Sequence, residues 1–216
     1  MSPPITKRRL FGIDRSGPPP PQTLSTQPLN PWTIPNAIGY LRLALIPVFL
    51  VVAFSSEDGH DALAVVLYAV IGWADYLDGF AARLTGQYSR LGAMLDPIID
   101  RLLVISGMVV CWHFELLPRW AIAVMIAREL FMIALSRFGL SRGVELKINW
   151  PGRLGVAPTM GAPFFAMAGV HWLALVCLYL GMGLALTATA LYVRDGIRAV
   201  RDQAQSGDGR KLSSSA

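Results

Sequence analysis

The chain has 216 residues, of which 54% are hydrophobic and only 15% charged, with a formal net charge of +5. Soluble domains carry about 25% charged residues, so this composition excludes an ordinary soluble enzyme and points to a membrane. The positive charge does not indicate nucleic acid, because no stripe of aromatic and basic residues accompanies it, and basic cytoplasmic loops account for it.

Residues 1–31 hold the basic cluster Lys7-Arg8-Arg9 and then Ser16-Gly17 followed by Pro18 to Pro21. This reads as a stiff, polar, disordered segment. A secretory signal would place its apolar core soon after the charges. Here the first long apolar run begins near Ala37, so cleavage is not expected.

Trp32-Thr33-Ile34-Pro35-Asn36 leads into the first predicted span, residues 37–54. Trp32 suits a membrane interface. Pro35 and Asn36 read as a helix start, with Asn36 capping free backbone N–H groups. Arg42 lies inside this span, where snorkelling to the interface and facing a polar cavity are equally open.

Five more apolar runs follow, at residues 62–84, 92–112, 117–137, 154–170 and 172–193. Each is close to the roughly 20 residues that a ~30 Å hydrocarbon core requires. Gly155, Gly161, Ala162 and Gly169 suit close helix packing. Cys111 and Cys177 sit inside apolar runs without a partner at metal-ligand spacing, and read as small buried hydrophobes. Residues 196–216 form a polar tail whose low-complexity end, Gln205 to Ala216, is expected to be disordered.

Loop charge predicts the orientation. Lys7, Arg8, Arg9, Arg90, Arg142, Lys147, Arg198 and Arg201 fall in segments on one side, whereas the opposite loops hold Arg119 beside Glu57, Asp58, Asp61 and Glu115. The positive-inside rule puts both termini in the cytoplasm. The expected fold is an all-α integral membrane protein with six transmembrane helices and a membrane domain at residues 32–195. His60, His113 and His171 fall on the outer side and receive no catalytic role.

Charges inside the spans carry the chemistry. Asp75, Asp78, Gly79, Ala82 and Arg83 share one helix face by their spacing, and Gly92, Asp96 and Asp100 share a face of the next helix. An antiparallel hairpin brings all four carboxylates to a similar depth, in the cytoplasmic third. Intramembrane carboxylates are functional by default, and four so close cannot all stay ionised without counter-charge. One or two Mg²⁺ or Mn²⁺ ions are the natural answer, since these cations prefer carboxylate and phosphate oxygen. A metal pair suits in-line displacement at phosphorus. Arg83 offers a planar donor fork for phosphate oxygens. Gly79 and Gly92 leave room for a phosphate or nucleotide, with glycine as a mere packing surface the alternative reading.

The pattern Asp75-x2-Asp78-Gly79-x2-Ala82-Arg83-x8-Gly92-x3-Asp96-x3-Asp100 resembles the signature of the CDP-alcohol phosphatidyltransferase family at every fixed position. The resemblance extends to Ile34-Pro35-Asn36, to Arg42 and to the six-span layout. It implies transfer of a phosphatidyl group from CDP-diacylglycerol to an alcohol, with release of CMP. It also implies that Asp75, Asp78, Asp96 and Asp100 hold two metal ions and that Asp100 is the general base. By the same resemblance Asn36, Asp78, Gly79, Ala82, Arg83 and Gly92 bind the CDP moiety, and the active form is a homodimer.

The second half of the chain is expected to choose the acceptor. Arg128-Glu129 sits mid-span as a buried charge pair. Together with Arg142, Lys147 and Arg153, Arg128 would suit an anionic acceptor such as glycerol 3-phosphate. For Arg142, Lys147 and Arg153, ordinary loop charge is an equal alternative. The spacing to Ser141-Arg142-Gly143 resembles the phosphatidylglycerophosphate synthase branch, which usually continues with Gly-Lys-x-Lys-Thr. Here Gly152-Arg153-Leu154-Gly155-Val156 lacks the second lysine and the threonine. Phosphatidylglycerol is therefore the second acceptor, which would make the chain a cardiolipin synthase, and an inositol phosphate the third.

Two other classes fit less well. Intramembrane prenyltransferases resemble longer chains with a different aspartate grouping. A cation transporter would leave Gly79, Ala82, Arg83 and Gly92 unexplained, and no inverted repeat of the aspartate pair is present.

Overall fold

The computed structural model describes residues 30–141 and 150–213. Among these every regular element is a helix: α1 (Ile34–Phe54), α2 (Ala62–Thr85), α3 (Arg90–His113), α4 (Arg119–Ser141), α5 (Trp150–Met167) and α6 (His171–Ser213). Each predicted apolar run coincides with one of them, except that residues 117–118 precede α4 and 168–170 follow α5. Of the N-terminal segment predicted to be disordered, residues 1–31, residues 1–29 lie outside the described residues.

Among the described residues three helices are long and apolar enough to cross a membrane: α1, α2 and the His171–Arg194 part of α6. The apolar part of α5, Leu154–Met167, is shorter. α3 and α4 match α2 in length at 24 and 23 residues. They carry charge in their middles instead, Asp96, Asp100 and Arg101 on α3 and Arg128 and Glu129 on α4.

Side-chain caps set the helix starts. Thr33 accepts the N–H of Asn36 at 3.3 Å and caps α1. Asn36, expected as the cap, is therefore one turn inside the helix, and its carboxamide is available for other contacts. Asp61 caps α2 through the N–H of Ala64 at 2.9 Å, and Ser89 caps α3 through the N–H of Gly92 at 2.9 Å. A cap of this kind contributes roughly 1 kcal/mol. Gly86, with φ +66°, ends α2 in the left-handed conformation that glycine adopts without steric cost.

The described helices fall into two compact units. In the first, α1 packs against both α2 and α3, and α2 and α3 touch each other. Phe49, Ile71, Ile99, Leu103, Met108 and Val110 are fully buried there, whereas Leu41, Val51, Val66 and Trp73 are exposed. Apolar side chains thus cover the outside as well as the core, as a lipid-facing surface requires.

In the second unit, α4 packs on α6. A methyl group placed on Gly155 would meet the Leu184 side chain at 3.3 Å, and one on Gly161 would meet Cys177 Sγ at 3.4 Å. Both glycines sit at close approaches, as expected. Gly169 has open space around it and serves no packing contact. α6 continues to Ser213, so the tail expected to be disordered is helical that far. Its Ala, Arg and Gln residues are good helix formers and no proline interrupts them.

Candidate active site

Spacing along α2 places Ile71, Asp75 and Asp78 in one stripe, four and three residues apart. Arg42 of α1 reaches into that stripe. Its Nε donates to the Ile71 carbonyl at 3.0 Å, and its Nη1 donates to Asp75 Oδ1 at 3.2 Å and Asp78 Oδ2 at 3.0 Å. Nη2 donates to Asp100 Oδ1 on α3 at 2.6 Å. One guanidinium thus joins three of the four aspartates across three helices. Arg42 is 0% exposed, which settles the choice left by the sequence: it does not snorkel. Asp78 is buried with it, while Asp75 and Asp100 remain partly exposed.

The fourth aspartate, Asp96, faces a pocket of about 180 Å³. Asn36, Asp78, Gly79, Ala82, Arg83 and Gly92, the six residues singled out for a nucleotide, all line this pocket. Asp75 and Asp100 join it through Arg42, which also holds the pocket residue Asp78. Arg83 folds back one turn, so that a methyl group on Gly79 would lie 3.4 Å from its Nη1.

The remaining wall comes from residues that the motif does not contain, Pro35, Gln87, Tyr88, Ser89 and Ala93. The short connection after α2 is tied to the start of α1. Gln87 Oε1 accepts the N–H of Ile34 at 3.1 Å, and the Ser89 hydroxyl donates to Asn36 Oδ1 at 2.8 Å. Asn36 Nδ2 in turn donates to the carbonyls of Asn30 and Pro31 at 3.0 and 3.1 Å. Asn36 is a buried wall strut whose oxygen and nitrogen both have partners. A Cβ at Gly92 would sit 2.7 Å from Asn36 Oδ1 and 3.1 Å from Ser89 Oγ, so the absence of a side chain there is what admits Asn36.

The donor set fits a hard divalent cation. Carboxylate oxygen is the ligand such ions prefer, and Arg42 engages a single oxygen of Asp75, of Asp78 and of Asp100. Its one positive charge offsets one of four carboxylates. Among the described residues no three of these side chains already converge at metal-binding geometry. Their convergence point is the guanidinium.

The acceptor residues fare differently. Arg128 pairs with its neighbour Glu129, and its Nε donates to Thr189 Oγ1 on α6 at 3.0 Å. Arg142 and Lys147 lie outside the described residues, and Arg153 is placed only as a position in α5. Two of the histidines make contacts away from the aspartates. His60 Nδ1 contacts the Met167 carbonyl, and the His113 ring lies edge-on to Phe54 and Phe114. Neither cysteine is in a disulfide, and Cys111 is buried as expected.

Comparison with known proteins agrees with the motif. Residues 32–193 match the family model described as CDP-alcohol phosphatidyltransferase. The chain is 34% identical to a cardiolipin synthase (CMP-forming) of Streptomyces coelicolor, over 76% of this chain and 80% of that one. It is 30% identical to a CDP-diacylglycerol–glycerol-3-phosphate 3-phosphatidyltransferase of Shigella flexneri, over 74% and 88%. The enzyme of the same name from Bacillus subtilis is 28% identical over 57% and 70%.

Proposed function

The chain belongs to the CDP-alcohol phosphatidyltransferase family, and we propose that it transfers the phosphatidyl group of CDP-diacylglycerol to a glycerol-phosphate acceptor with release of CMP. The observation that carries this reading is the continuity of the carboxylate cluster with the pocket, through Asp78 and Asp96.

In this reading the pocket walls, Asn36, Gly79, Ala82, Arg83 and Gly92, hold the CDP portion of the donor. Arg83 supplies donors to the diphosphate oxygens. Asp75, Asp78, Asp96 and Asp100 would hold two Mg²⁺ or Mn²⁺ ions, which neutralise the diphosphate and the departing CMP. Asp100 takes the proton of the acceptor hydroxyl. That oxygen forms a bond to the phosphorus bearing diacylglycerol, and the bond from that phosphorus to the CMP oxygen breaks. Phosphoryl chemistry of this kind rests mainly on positioning and charge neutralisation.

The same reading places the protein in the cell membrane as six spans with both termini in the cytoplasm, the site on the cytoplasmic side, and the active form a homodimer. Residues 32–195 form the catalytic domain, between an N-terminal segment (1–31) and a polar tail (196–216).

Glycerol 3-phosphate is the first acceptor, with phosphate contacts from Arg128, Arg142, Lys147 and Arg153. A second reading, phosphatidylglycerol, is favoured by the missing lysine and threonine after Gly152-Arg153 and by the Streptomyces relative's name. Both acceptors present a glycerol hydroxyl beside a phosphate. Purified protein given CDP-diacylglycerol and Mg²⁺ with each acceptor in turn decides between them. Phosphatidylglycerophosphate from glycerol 3-phosphate is expected. Cardiolipin from phosphatidylglycerol instead transfers the assignment, and no lipid product from either overturns the reading.

Gly92→Ala is expected to raise the KM for CDP-diacylglycerol about 10-fold with a smaller change in kcat, because overpacking at a tight contact costs about 1–3 kcal/mol. Steady-state kinetics checks this, and an unchanged KM separates the Asn36 wall from the donor site.

A further inference from the structure

Arg42 takes part in none of the steps above, yet it is the most completely buried charge in the first unit and its three nitrogens are all engaged. A guanidinium buried in a membrane domain is tolerated only where fixed anions and carbonyls replace its hydration. Here those partners are Asp75, Asp78, Asp100 and the Ile71 carbonyl. Dependence runs in the other direction too. Without Arg42, the carboxylates Asp75, Asp78 and Asp100 from two helices would lose the guanidinium that joins them.

We propose that Arg42 is a positioning residue, an internal counter-cation that fixes one oxygen of Asp75, of Asp78 and of Asp100 and so presents the opposite oxygen of each to metal and acceptor. This rests on the functional reading above. The planar fork is what the task needs, because an ammonium group cannot donate along three fixed directions while held on a helical carbonyl. The Nη2 contact orients Asp100 through Oδ1 and leaves Oδ2 to take the acceptor's proton. Arg42 meets the nucleotide pocket through Asp78, whereas Asn36, Ser89 and Gly92 are joined by hydrogen bonds that do not include it.

The experiment compares wild type, Arg42→Met and Arg42→Lys in detergent, by thermal melting in chelator and by Mn²⁺ titration followed by the spin-resonance signal of free Mn²⁺. Arg42→Met should melt lower in chelator by about 5 °C or more, and recover part of that loss on adding Mn²⁺. Its Mn²⁺ midpoint should rise about 10-fold, with kcat falling about 100-fold and the KM for CDP-diacylglycerol nearly unchanged. Arg42→Lys, which keeps the charge without the fork, should melt near wild type while its Mn²⁺ midpoint stays raised. It serves as the test if Arg42→Met does not fold.

The double variant Arg42→Met/Asp75→Asn should melt higher in chelator than Arg42→Met, since removing a carboxylate relieves the unbalanced charge. Equal loss of stability with and without Mn²⁺, an unmoved midpoint and no relief in the double variant overturn the proposal and leave Arg42 a packing residue. If wild type neither binds Mn²⁺ nor releases CMP, the functional reading fails instead. The chelator melts then still report on Arg42.

Discussion

Asp100→Asn is expected to lower kcat by about a thousand-fold, within the range general-base removal covers, while CDP-diacylglycerol binds within a few-fold of wild type. The amide is nearly isosteric with the carboxylate, and its oxygen can still accept from Arg42 Nη2, as Asp100 Oδ1 does at 2.6 Å. What it loses is the capacity to take a proton and one of four negative charges. Asp100 does not line the pocket given to the nucleotide, so binding has no direct reason to change. Turnover measured beside equilibrium binding of the CDP lipid separates the two effects. Near-normal turnover removes Asp100 from the base role.

Asp78→Asn should be comparably damaging for a different reason. Asp78 belongs to both parts of the site, lining the pocket and accepting from Arg42 Nη1 at 3.0 Å. Loss of its charge weakens metal binding and leaves Arg42 with fewer anionic partners in a buried setting, where a charged hydrogen bond is worth about 1.5–3 kcal/mol. A fall of about a hundred-fold or more in kcat/KM is expected at low Mg²⁺. Raising Mg²⁺ should restore part of the activity of Asp78→Asn and none of that of Asp100→Asn. Identical, Mg²⁺-independent losses in the two variants would contradict the separate roles.

The helices were largely legible in the sequence because runs of about 20 apolar residues announce themselves by length alone. So was the sharing of faces by Asp75 and Asp78 and by Asp96 and Asp100, which follows from helical geometry. Burial direction was not. In a membrane helix both faces are apolar, so hydrophobic periodicity does not say which side of α1 turns inward, and Arg42 could be read either way. The pocket walls Gln87, Tyr88 and Ser89 stayed hidden for a related reason. Gln87 and Ser89 meet residues 34 and 36, 53 positions earlier in the chain, through a short connection whose long-range partners local sequence does not reveal. Ser89 had a usable signal, as a serine just before an apolar run is a cap. Asn36 shows the opposite error: the neighbouring Thr33 captures the cap and frees the amide for Ser89 and the carbonyls of Asn30 and Pro31. The acceptor residues remain sequence arguments, since Arg142 and Lys147 lie outside the described residues.

The most direct measurement is CMP release from CDP-diacylglycerol by the purified protein with glycerol 3-phosphate and phosphatidylglycerol both present. It is made with Mg²⁺, then with chelator, then with Mg²⁺ returned. CMP should form with Mg²⁺, stop on chelation and resume when metal is restored. CMP release that continues unchanged in chelator, or none under any condition, contradicts a metal-dependent transferase built on Asp75, Asp78, Asp96 and Asp100.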